Sequence, residues 1–245
     1  MPQRIHILNT KIDNYSMQET LQIVDKSIQQ KEQLHHTVVN AGKIVAMQKD
    51  EALRESVNEA DLINADGQAV IWASKILNKP LKERVAGIDL FENLVKLAHQ
   101  KEYSVYLLGA KQDVVETVAN NFKQNYNPKI IAGYRNGYFS AAEEKQIVEK
   151  IVASKANMLF VAMSSPKKEI FLHKHREALK AVNFIMGVGG SFDVLSGKTK
   201  RAPLWMQNSG LEWFYRFAQE PKRMWKRYLV GNTKFILLVL KEKLK

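Results

Sequence analysis

Short apolar runs alternate with longer amphipathic segments through residues 1–200, and this alternation constrains the fold more than any other feature of the sequence. The apolar runs are predicted to be buried strands at residues 5–8, 37–40, 61–65, 104–108, 129–132, 158–162 and 183–187. The segments between them have helical periodicity and cover residues 16–30, 43–60, 68–77, 88–100, 112–126, 141–154 and 167–179. Strands that alternate with helices of about 10–15 residues indicate βαβ units. The predicted fold is therefore α/β, with a Rossmann-like, mostly parallel sheet flanked by helices.

The C-terminal segment differs in composition from the rest of the chain. Residues 201–245 hold ten lysines and arginines against three glutamates, which gives them +7 of the net charge of +12. Three of the four tryptophans lie there, and an apolar run covers residues 235–240. Pro221 predicts the start of a helix that continues to Tyr228. Gly231 and Asn232 are predicted to interrupt the helical structure before a final helix. The sequence therefore predicts an α/β domain over residues 1–200 and a basic helical appendage over residues 201–245.

The composition of the appendage indicates its partner. An anionic membrane surface suits its positive charge, its tryptophans and its apolar run, whereas nucleic acid suits only the charge. A membrane surface is the predicted partner and nucleic acid is not, although an α/β protein that binds nucleic acid through this tail stays open as an alternative. No run of about 18 or more apolar residues is present, so a spanning helix is not expected. The apolar run is equally suited to a core helix or to contact with a second copy of the chain, a homo-oligomer.

The sequence offers few of the patterns that hold a metal. Cysteine is absent, which excludes disulfides and thiolate metal sites. The six histidines form no His-Glu-x-x-His pattern, and there is no Asp-x-Asp pair. We therefore expect no metal site.

The informative side chains are expected where strands end, because ligands of open parallel sheets bind at the carboxyl ends of the strands. Asp66 follows the strand at 61–65 and precedes a helix, so it is either a general base for a hydroxyl group or a helix cap, and the sequence leaves both open. Asn40 ends the strand at 37–40, where it suits a sugar or base contact, but a helix cap is favoured.

The other strand ends carry small or charged residues suited to an anionic ligand. Glycines let backbone N–H groups approach a phosphate, although neither a Gly-x-Gly-x-x-Gly motif nor a Walker loop is present. An ordinary surface arginine is the favoured interpretation of Arg84, and an ordinary helix start is a strong alternative at residues 166–169. A ligand site is favoured over a tight turn at the glycines of 187–193. The candidate substrate-binding residues of this set are Arg84, Gly87, Gly109, Ala110, Pro166, Lys167, Glu169, Gly187, Gly189, Gly190 and Asp193.

The appendage also carries candidate anion ligands. Arg223 and Arg227 lie four residues apart on the helix predicted from Pro221, so they share one helix face, and Arg216 lies upstream. Converging guanidinium groups bind a diphosphate well. A solvated basic face is the alternative for these three arginines.

The ordered set of these motifs resembles the WecG/TagA/CpsF glycosyltransferases, glycosyltransferase family 26, over nearly the whole chain. The resemblance rests on the segments 40–41, 65–67, 84–87, 108–110, 165–169, 187–193, 197–203, 210–216 and 220–228. Two positions depart from the family pattern: Val38 stands where threonine is usual, and Lys168 where glutamine is usual. The donor sugar is therefore left open.

The resemblance implies an inverting, metal-independent transfer without a cofactor. A sugar of the N-acetylmannosamine type or a related sugar would move from UDP to an undecaprenyl-diphosphate-linked acceptor sugar, in the synthesis of a cell-envelope polysaccharide or teichoic acid. Asp66 matches the catalytic base of the family, and Arg216, Arg223 and Arg227 match contacts to the lipid diphosphate. A cytoplasmic protein at the inner face of the cell membrane is expected. A noncatalytic subunit that binds a nucleotide sugar is the remaining alternative.

Overall fold

The structure is a computed structural model that describes residues 4–225 and 229–244, without the side chains of Asn208, Arg223 and Met224. Its strands are β1 (Arg4–Ile7), β2 (Thr10–Asp13), β3 (Leu34–Val39), β4 (Leu62–Ala65), β5 (Val105–Gly109), β6 (Ile131–Arg135), β7 (Met158–Ala162) and β8 (Phe184–Gly187). The helices of the first 200 residues are α1 (Met17–Gln29), α2 (Ala41–Met47), α3 (Glu51–Asn58), α4 (Gln68–Ile76), α5 (Gly87–Lys101), α6 (Gln112–Asn125), α7 (Glu144–Ala153), α8 (Lys167–Lys174) and α9 (Ser191–Leu195). The appendage holds α10 (Leu204–Asn208), α11 (Glu212–Gln219), α12 (Pro221–Trp225) and α13 (Gly231–Lys243). Two short 3₁₀ helices cover Pro128–Ile130 and Ala141–Glu143.

Strands β3 to β8 form one parallel sheet in the order β4-β3-β8-β7-β5-β6. Residues of β7 and β8 belong alternately to two hydrophobic clusters: Phe160 and Met186 pack with α5 and α6, whereas Val161 and Ile185 pack with α7 and α8. Helices therefore cover both faces of the sheet, and this burial explains the continuous apolar runs of its strands. The predicted α/β fold with a mostly parallel sheet is confirmed.

The N-terminal strand differs from the expected pattern. β1 does not join the parallel sheet but pairs antiparallel with β2, which the sequence analysis did not predict. Leu8 and Asn9 form the two-residue loop between them and have φ angles of 50° and 61°. Positive φ at both loop positions is typical of a type I′ turn, whose twist matches that of a hairpin.

Several predicted element boundaries are also wrong; the strand expected at 37–40 begins at Leu34 and ends at Val39. The helix expected at 43–60 is two helices, because Asp50 caps α3 by accepting the backbone N–H of Leu53. The helix expected at 167–179 ends at Lys174, and the strand expected at 129–132 begins with a 3₁₀ turn and continues to Arg135. The capping box of Ser140 and Glu143 is present, as the sequence indicates.

The last helix packs against the α/β part of the chain. Phe235 and Val239 of α13 are buried in the same hydrophobic cluster as residues of α2 and α4. The interruption expected at Gly231 and Asn232 is wrong, because α13 begins at Gly231. The helix expected from Pro221 corresponds to α12, whose predicted continuation to Tyr228 falls outside the described residues. The domain boundary at residue 200 stays a prediction.

None of the helices in the described ranges is long and apolar enough to cross a membrane.

Two buried histidines on β3 make stability depend on pH. Burial lowers the pKa of His35 to about 3 and that of His36 to about 4, although a hydrogen bond to Asn64 favours the charged form of His36. Both side chains are therefore neutral in the folded protein near neutral pH, whereas the unfolded chain takes up protons below pH 6.5. Their contribution is complete above that pH and is lost as the pH falls towards the folded values.

We expect the free energy of unfolding to fall by about 1.4 kcal/mol per pH unit for each of these histidines between roughly pH 6.5 and 4. Urea unfolding at a series of pH values measures this slope. His36→Gln should remove one histidine's share of the slope, and the exposed His99→Gln should leave the slope as it is. An unchanged slope in His36→Gln would contradict the assignment.

Candidate active site

Asp66 lies at the carboxyl end of β4, where its backbone N–H donates to the carbonyl of Val39 on the neighbouring strand (2.7 Å). Gly67, not Asp66, is the residue that precedes the first turn of α4, and no side chain caps that helix. The Asp66 carboxylate instead accepts the backbone N–H of Gly87, at the start of α5. The interpretation of Asp66 as a helix cap is therefore wrong. Its side chain lies between the end of β4 and the start of α5.

The surroundings of Asp66 favour the protonated form of its carboxyl group. Burial raises its pKa, and the carboxylate of Glu212 raises it further, whereas Arg84, the N–H of Gly87 and Arg216 lower it. The net effect is a raised pKa, and the residue as a whole is partly exposed. A reachable carboxylate with a raised pKa is well suited to accept a proton from a hydroxyl group.

Asn40 is next to Asp66 at the end of β3. Its side chain caps α2 by accepting the backbone N–H of Lys43 (3.0 Å), as the favoured interpretation predicts. A Cβ atom at Gly67 would lie 3.5 Å from the Cβ of Asn40, so these two strand ends are in contact. The structure therefore brings Asn40, Asp66 and Gly87 together.

The appendage covers this corner of the sheet. Gly210, in the turn between α10 and α11, packs against the side chain of Gln68, two residues after Asp66. A Cβ at Gly210 would lie 3.0 Å from Cγ of Gln68, so the approach depends on glycine. α11 begins at Glu212 and carries Arg216, and both residues act on the pKa of Asp66.

Three arginines meet at the carboxylate of Glu212. The nearest nitrogen–oxygen distances are 3.6 Å from Arg84, 3.7 Å from Arg201 and 3.3 Å from Arg216. Arg201 also contacts Asp89 on α5 (2.5 Å). The site beside Asp66 therefore concentrates guanidinium groups from three separate segments of the chain.

A second charged cluster is buried at the ends of β3, β7 and β8. The carboxylate of Glu169 lies 2.8 Å from Nζ of Lys43 and 2.6 Å from Nζ of Lys168. Lys43 Nζ also donates to the carbonyl of Val38 (2.6 Å). A Cβ at Gly187 would lie 2.9 Å from Cδ of Lys168, so glycine at this position leaves room for the lysine stem. Glu169 thus links α8 to α2 at the carboxyl ends of the strands.

The remaining predicted residues lie further along the same edge. Gly189 and Gly190 have open space where a Cβ would be, so a ligand can approach their backbone. Asp193 is partly exposed on α9, and Lys167 is exposed beside Pro166, which precedes the first turn of α8.

Gly109 and Ala110 are four strand positions from Asp66, roughly 19 Å at the usual strand spacing. A Cβ at Gly109 would lie 2.4 Å from the carbonyl oxygen of Ala162, which accounts for glycine there by packing. The substrate contacts assigned to all these residues stay predictions.

The structure adds residues to the site and does not test two of the predicted ones. Sequence reasoning named neither Glu212, Arg201 nor Lys43 as site residues, although 197–203 and 210–216 are among the segments that carry the resemblance. Arg227 lies outside the described residues, and the side chain of Arg223 is not described, so their role stays a prediction. In the described part of the chain, no three His, Cys, Asp or Glu side chains are grouped so that they could hold a metal ion.

Comparisons with known proteins identify relatives of this chain. A family model described as Glycosyl transferase WecG/TagA/CpsF family matches residues 5–245. The chain is 39% identical over 208 residues to the N-acetylglucosaminyldiphosphoundecaprenol N-acetyl-beta-D-mannosaminyltransferase of Bacillus subtilis, across 84% of this chain and 78% of that protein. It is 40% identical over 185 residues to the Bacillus spizizenii protein of the same name, across 76% of this chain and 70% of that protein.

The buried cluster of Glu169 gives a prediction for stability. Burial alone would raise the pKa of Glu169, but the nearby ammonium groups of Lys43 and Lys168 outweigh it and lower the pKa to about 2. Glu169→Gln removes the counter-ion of two buried lysines, so we expect it to lower the free energy of unfolding by about 3–5 kcal/mol at neutral pH. Urea unfolding measures this loss.

The loss should shrink as the pH falls. The charged carboxylate stabilises the fold fully above pH 4.5, and this contribution disappears as the pH falls towards the folded pKa of about 2. Glu177→Gln is the matched control, because the Glu177 side chain is 86% exposed. A Glu169→Gln protein as stable as this control at neutral pH would contradict the buried ion cluster.

Proposed function

Because the chain belongs to the WecG/TagA/CpsF family of glycosyltransferases, we propose that it transfers a sugar of the N-acetylmannosamine type from UDP to a sugar on undecaprenyl diphosphate. Both Bacillus relatives are named as transferases of N-acetylmannosamine to N-acetylglucosaminyldiphosphoundecaprenol. The product would serve the synthesis of a cell-envelope polysaccharide or teichoic acid. The observation that carries the proposal is Asp66, a carboxylate of raised pKa that faces arginines at the ligand-binding edge of the sheet.

In the proposed reaction, Asp66 acts as the general base. The acceptor hydroxyl gives its proton to the Asp66 carboxylate while its oxygen forms a bond to the anomeric carbon of the donor sugar. The bond between that carbon and the β-phosphate oxygen breaks, and its electron pair leaves on UDP. Attack on the face opposite to UDP inverts the anomeric configuration.

Fixed positive charge supports departure of UDP without a metal. The negative charge that develops on the leaving diphosphate needs preorganised cations or N–H dipoles. Arg84 supplies a guanidinium group beside Asp66, Arg201 lies next to it at Glu212, and Gly189 and Gly190 present open backbone. No cofactor takes part in the proposed reaction.

The appendage is the proposed site for the acceptor's diphosphate. Arg216 extends from α11 close enough to lower the pKa of Asp66, so an anion bound at Arg216 would be next to the base. We assign the lipid diphosphate to Arg216 together with Arg223 and Arg227. The lipid-linked sugar would then extend from the appendage towards Asp66.

Membrane attachment is proposed for the outer face of α13. Ile236, Leu237 and Leu240 are exposed there, while Phe235 and Val239 face the core. Lys234, Lys241 and Lys243 are exposed on the same helix. An apolar stripe with lysines beside it suits the interface of an anionic membrane, which would place the protein at the inner face of the cell membrane.

The first test replaces the base. We expect Asp66→Asn to lower acceptor-dependent UDP release by roughly 10²- to 10⁴-fold, because the amide cannot accept the hydroxyl proton. The assay uses UDP-N-acetylmannosamine and a prenyl-diphosphate-linked N-acetylglucosamine without added metal. The exposed Asp113→Asn, on α6, is the matched control and should keep full activity.

The outcomes of this test separate the alternatives. Full activity in Asp66→Asn would overturn the assignment of the base. UDP-sugar binding by the wild-type protein without transfer to any lipid-linked acceptor would instead support a noncatalytic nucleotide-sugar-binding subunit.

The second test addresses the membrane face. Leu237→Ser combined with Leu240→Ser should weaken binding to phosphatidylglycerol vesicles by about tenfold or more, because each leucine loses the free energy of apolar burial. Vesicle co-sedimentation measures the effect. Ile170→Ser removes an exposed apolar side chain of α8 and serves as the control. Equal vesicle binding by the double variant and the control would exclude α13 as the contact.

A further inference from the structure

We propose that Glu212 is a positioning residue, whose carboxylate assembles Arg84, Arg201 and Arg216 into one cation cluster and holds the appendage closed over Asp66. The proposal deepens the proposed function, and only its kinetic readouts rest on that function. Glu212 is assigned no contact with substrate: it acts through the arginines.

The first observation is the central place of the carboxylate. Glu212 lies 3.3–3.7 Å from a nitrogen of each of the three arginines, and its side chain is only 13% exposed. These distances exceed the roughly 2.7–2.9 Å of a tight guanidinium–carboxylate hydrogen bond. Arg216 Nη2 donates a long hydrogen bond of 3.3 Å to Glu212 Oε1, and Arg84 and Arg201 approach the same carboxylate at 3.6 Å and 3.7 Å.

The second observation is that the three arginines come from different parts of the chain. Arg84 precedes α5, Arg201 precedes α10, and Arg216 is on α11 one turn after Glu212. Nη1 of Arg201 lies 2.5 Å from Asp89 Oδ1 and 3.9 Å from Glu92 Oε2, and both carboxylates belong to α5. Through Arg84 and Arg201, Glu212 thus links the first turn of α11 to the segment that leads into α5.

Electrostatics explains why a carboxylate is needed at this position. Like charges gathered within a few ångströms repel, and the repulsion is strong where water is largely excluded. A negative charge among the three guanidinium groups offsets this repulsion and allows them to converge. A neutral side chain of the same shape would leave the arginines to separate, and α11 would lose its attachment.

The arrangement leaves donors for a ligand. Nε and Nη2 of Arg201 are buried and have no hydrogen-bond partner among the described residues. Such groups are costly unless an acceptor occupies them. Phosphate oxygens are acceptors of the right charge, so the cluster that Glu212 assembles is prepared for an anion.

Glu212 also acts on Asp66 through space. The charged and polar groups that face Asp66 are Arg84, the N–H of Gly87 on α5, and Glu212 and Arg216 on α11. Of these, Glu212 raises the pKa of Asp66 and the other three lower it. Loss of the Glu212 charge alone would lower the pKa of Asp66, whereas separation of Arg84 and Arg216 from Asp66 would raise it, so a displaced acidic limb of the pH–rate profile in either direction reports a change around the base.

The test compares Glu212→Gln, which keeps the shape and loses the charge, with Glu212→Asp, which keeps the charge, and with the exposed control Glu177→Gln. Hydrogen exchange of the backbone amides of α10 and α11 reports attachment of the appendage without any substrate. Steady-state kinetics report the KM for the lipid-linked acceptor, kcat and the pH profile.

We expect Glu212→Gln to lose exchange protection in α11 and to lower kcat/KM for the acceptor on the order of 100-fold, since small misplacements of binding groups cost that much. The acidic limb of the pH–rate profile should be displaced from its wild-type position, and UDP-sugar affinity should change less than acceptor KM. Glu212→Asp should recover part of both the protection and the rate, and the control should match the wild type.

Two results would overturn the proposal. One is a Glu212→Gln protein with wild-type exchange protection in α11 and wild-type kinetics. The other is a Glu212→Asp protein as impaired as Glu212→Gln while the exchange of β3 to β8 stays normal, because charge would then not be the property that matters. If the wild-type protein itself transfers no sugar, the proposed function fails, and hydrogen exchange still decides the role of Glu212.

Discussion

Parallel hydrogen bonding between β4, β3 and β8 is the constraint on which the rest of the molecule depends. The carboxyl ends of parallel strands lie at the same edge of the sheet, so residues far apart in the sequence meet along that edge. Asn40, Asp66 and the glycines after β8 lie at this edge. The helices that return the chain must cover both faces of the sheet, which fixes where α5 begins and hence where Gly87 meets Asp66.

The sequence was sufficient for elements whose cause is local. Apolar runs predicted the strands of the parallel sheet, and the Ser140 capping box predicted a helix start. Asp66 could be placed at a strand end, but its surroundings could not be predicted, because Arg84 and Glu212 reach it from segments 18 and 146 positions further along the chain. The hairpin of β1 and β2 was missed since Leu8 and Asn9 contain no glycine, the usual signal of a turn with positive φ.

Charge in this molecule is organised by pairing within the fold as well as by exposure to solvent. The net charge of +12 suggests a surface rich in free cations. Several of the basic residues are instead committed to carboxylates: Lys43 is buried against Glu169, and Arg84 and Arg216 meet Glu212. Net charge therefore describes the long-range field that attracts an anionic surface, while the local chemistry beside Asp66 depends on which arginines a carboxylate holds.

The packing of α13 has a consequence for how the appendage can be studied. Phe235 and Val239 fill the cluster formed by α2 and α4, and α4 begins two residues after Asp66. Deleting the C-terminal segment would open a cavity under the helix that follows the base, as well as removing the appendage's arginines. A shortened protein therefore loses core packing and the appendage's arginines together, and its phenotype cannot separate them. Point substitutions on the outer surface of the appendage change the arginines alone.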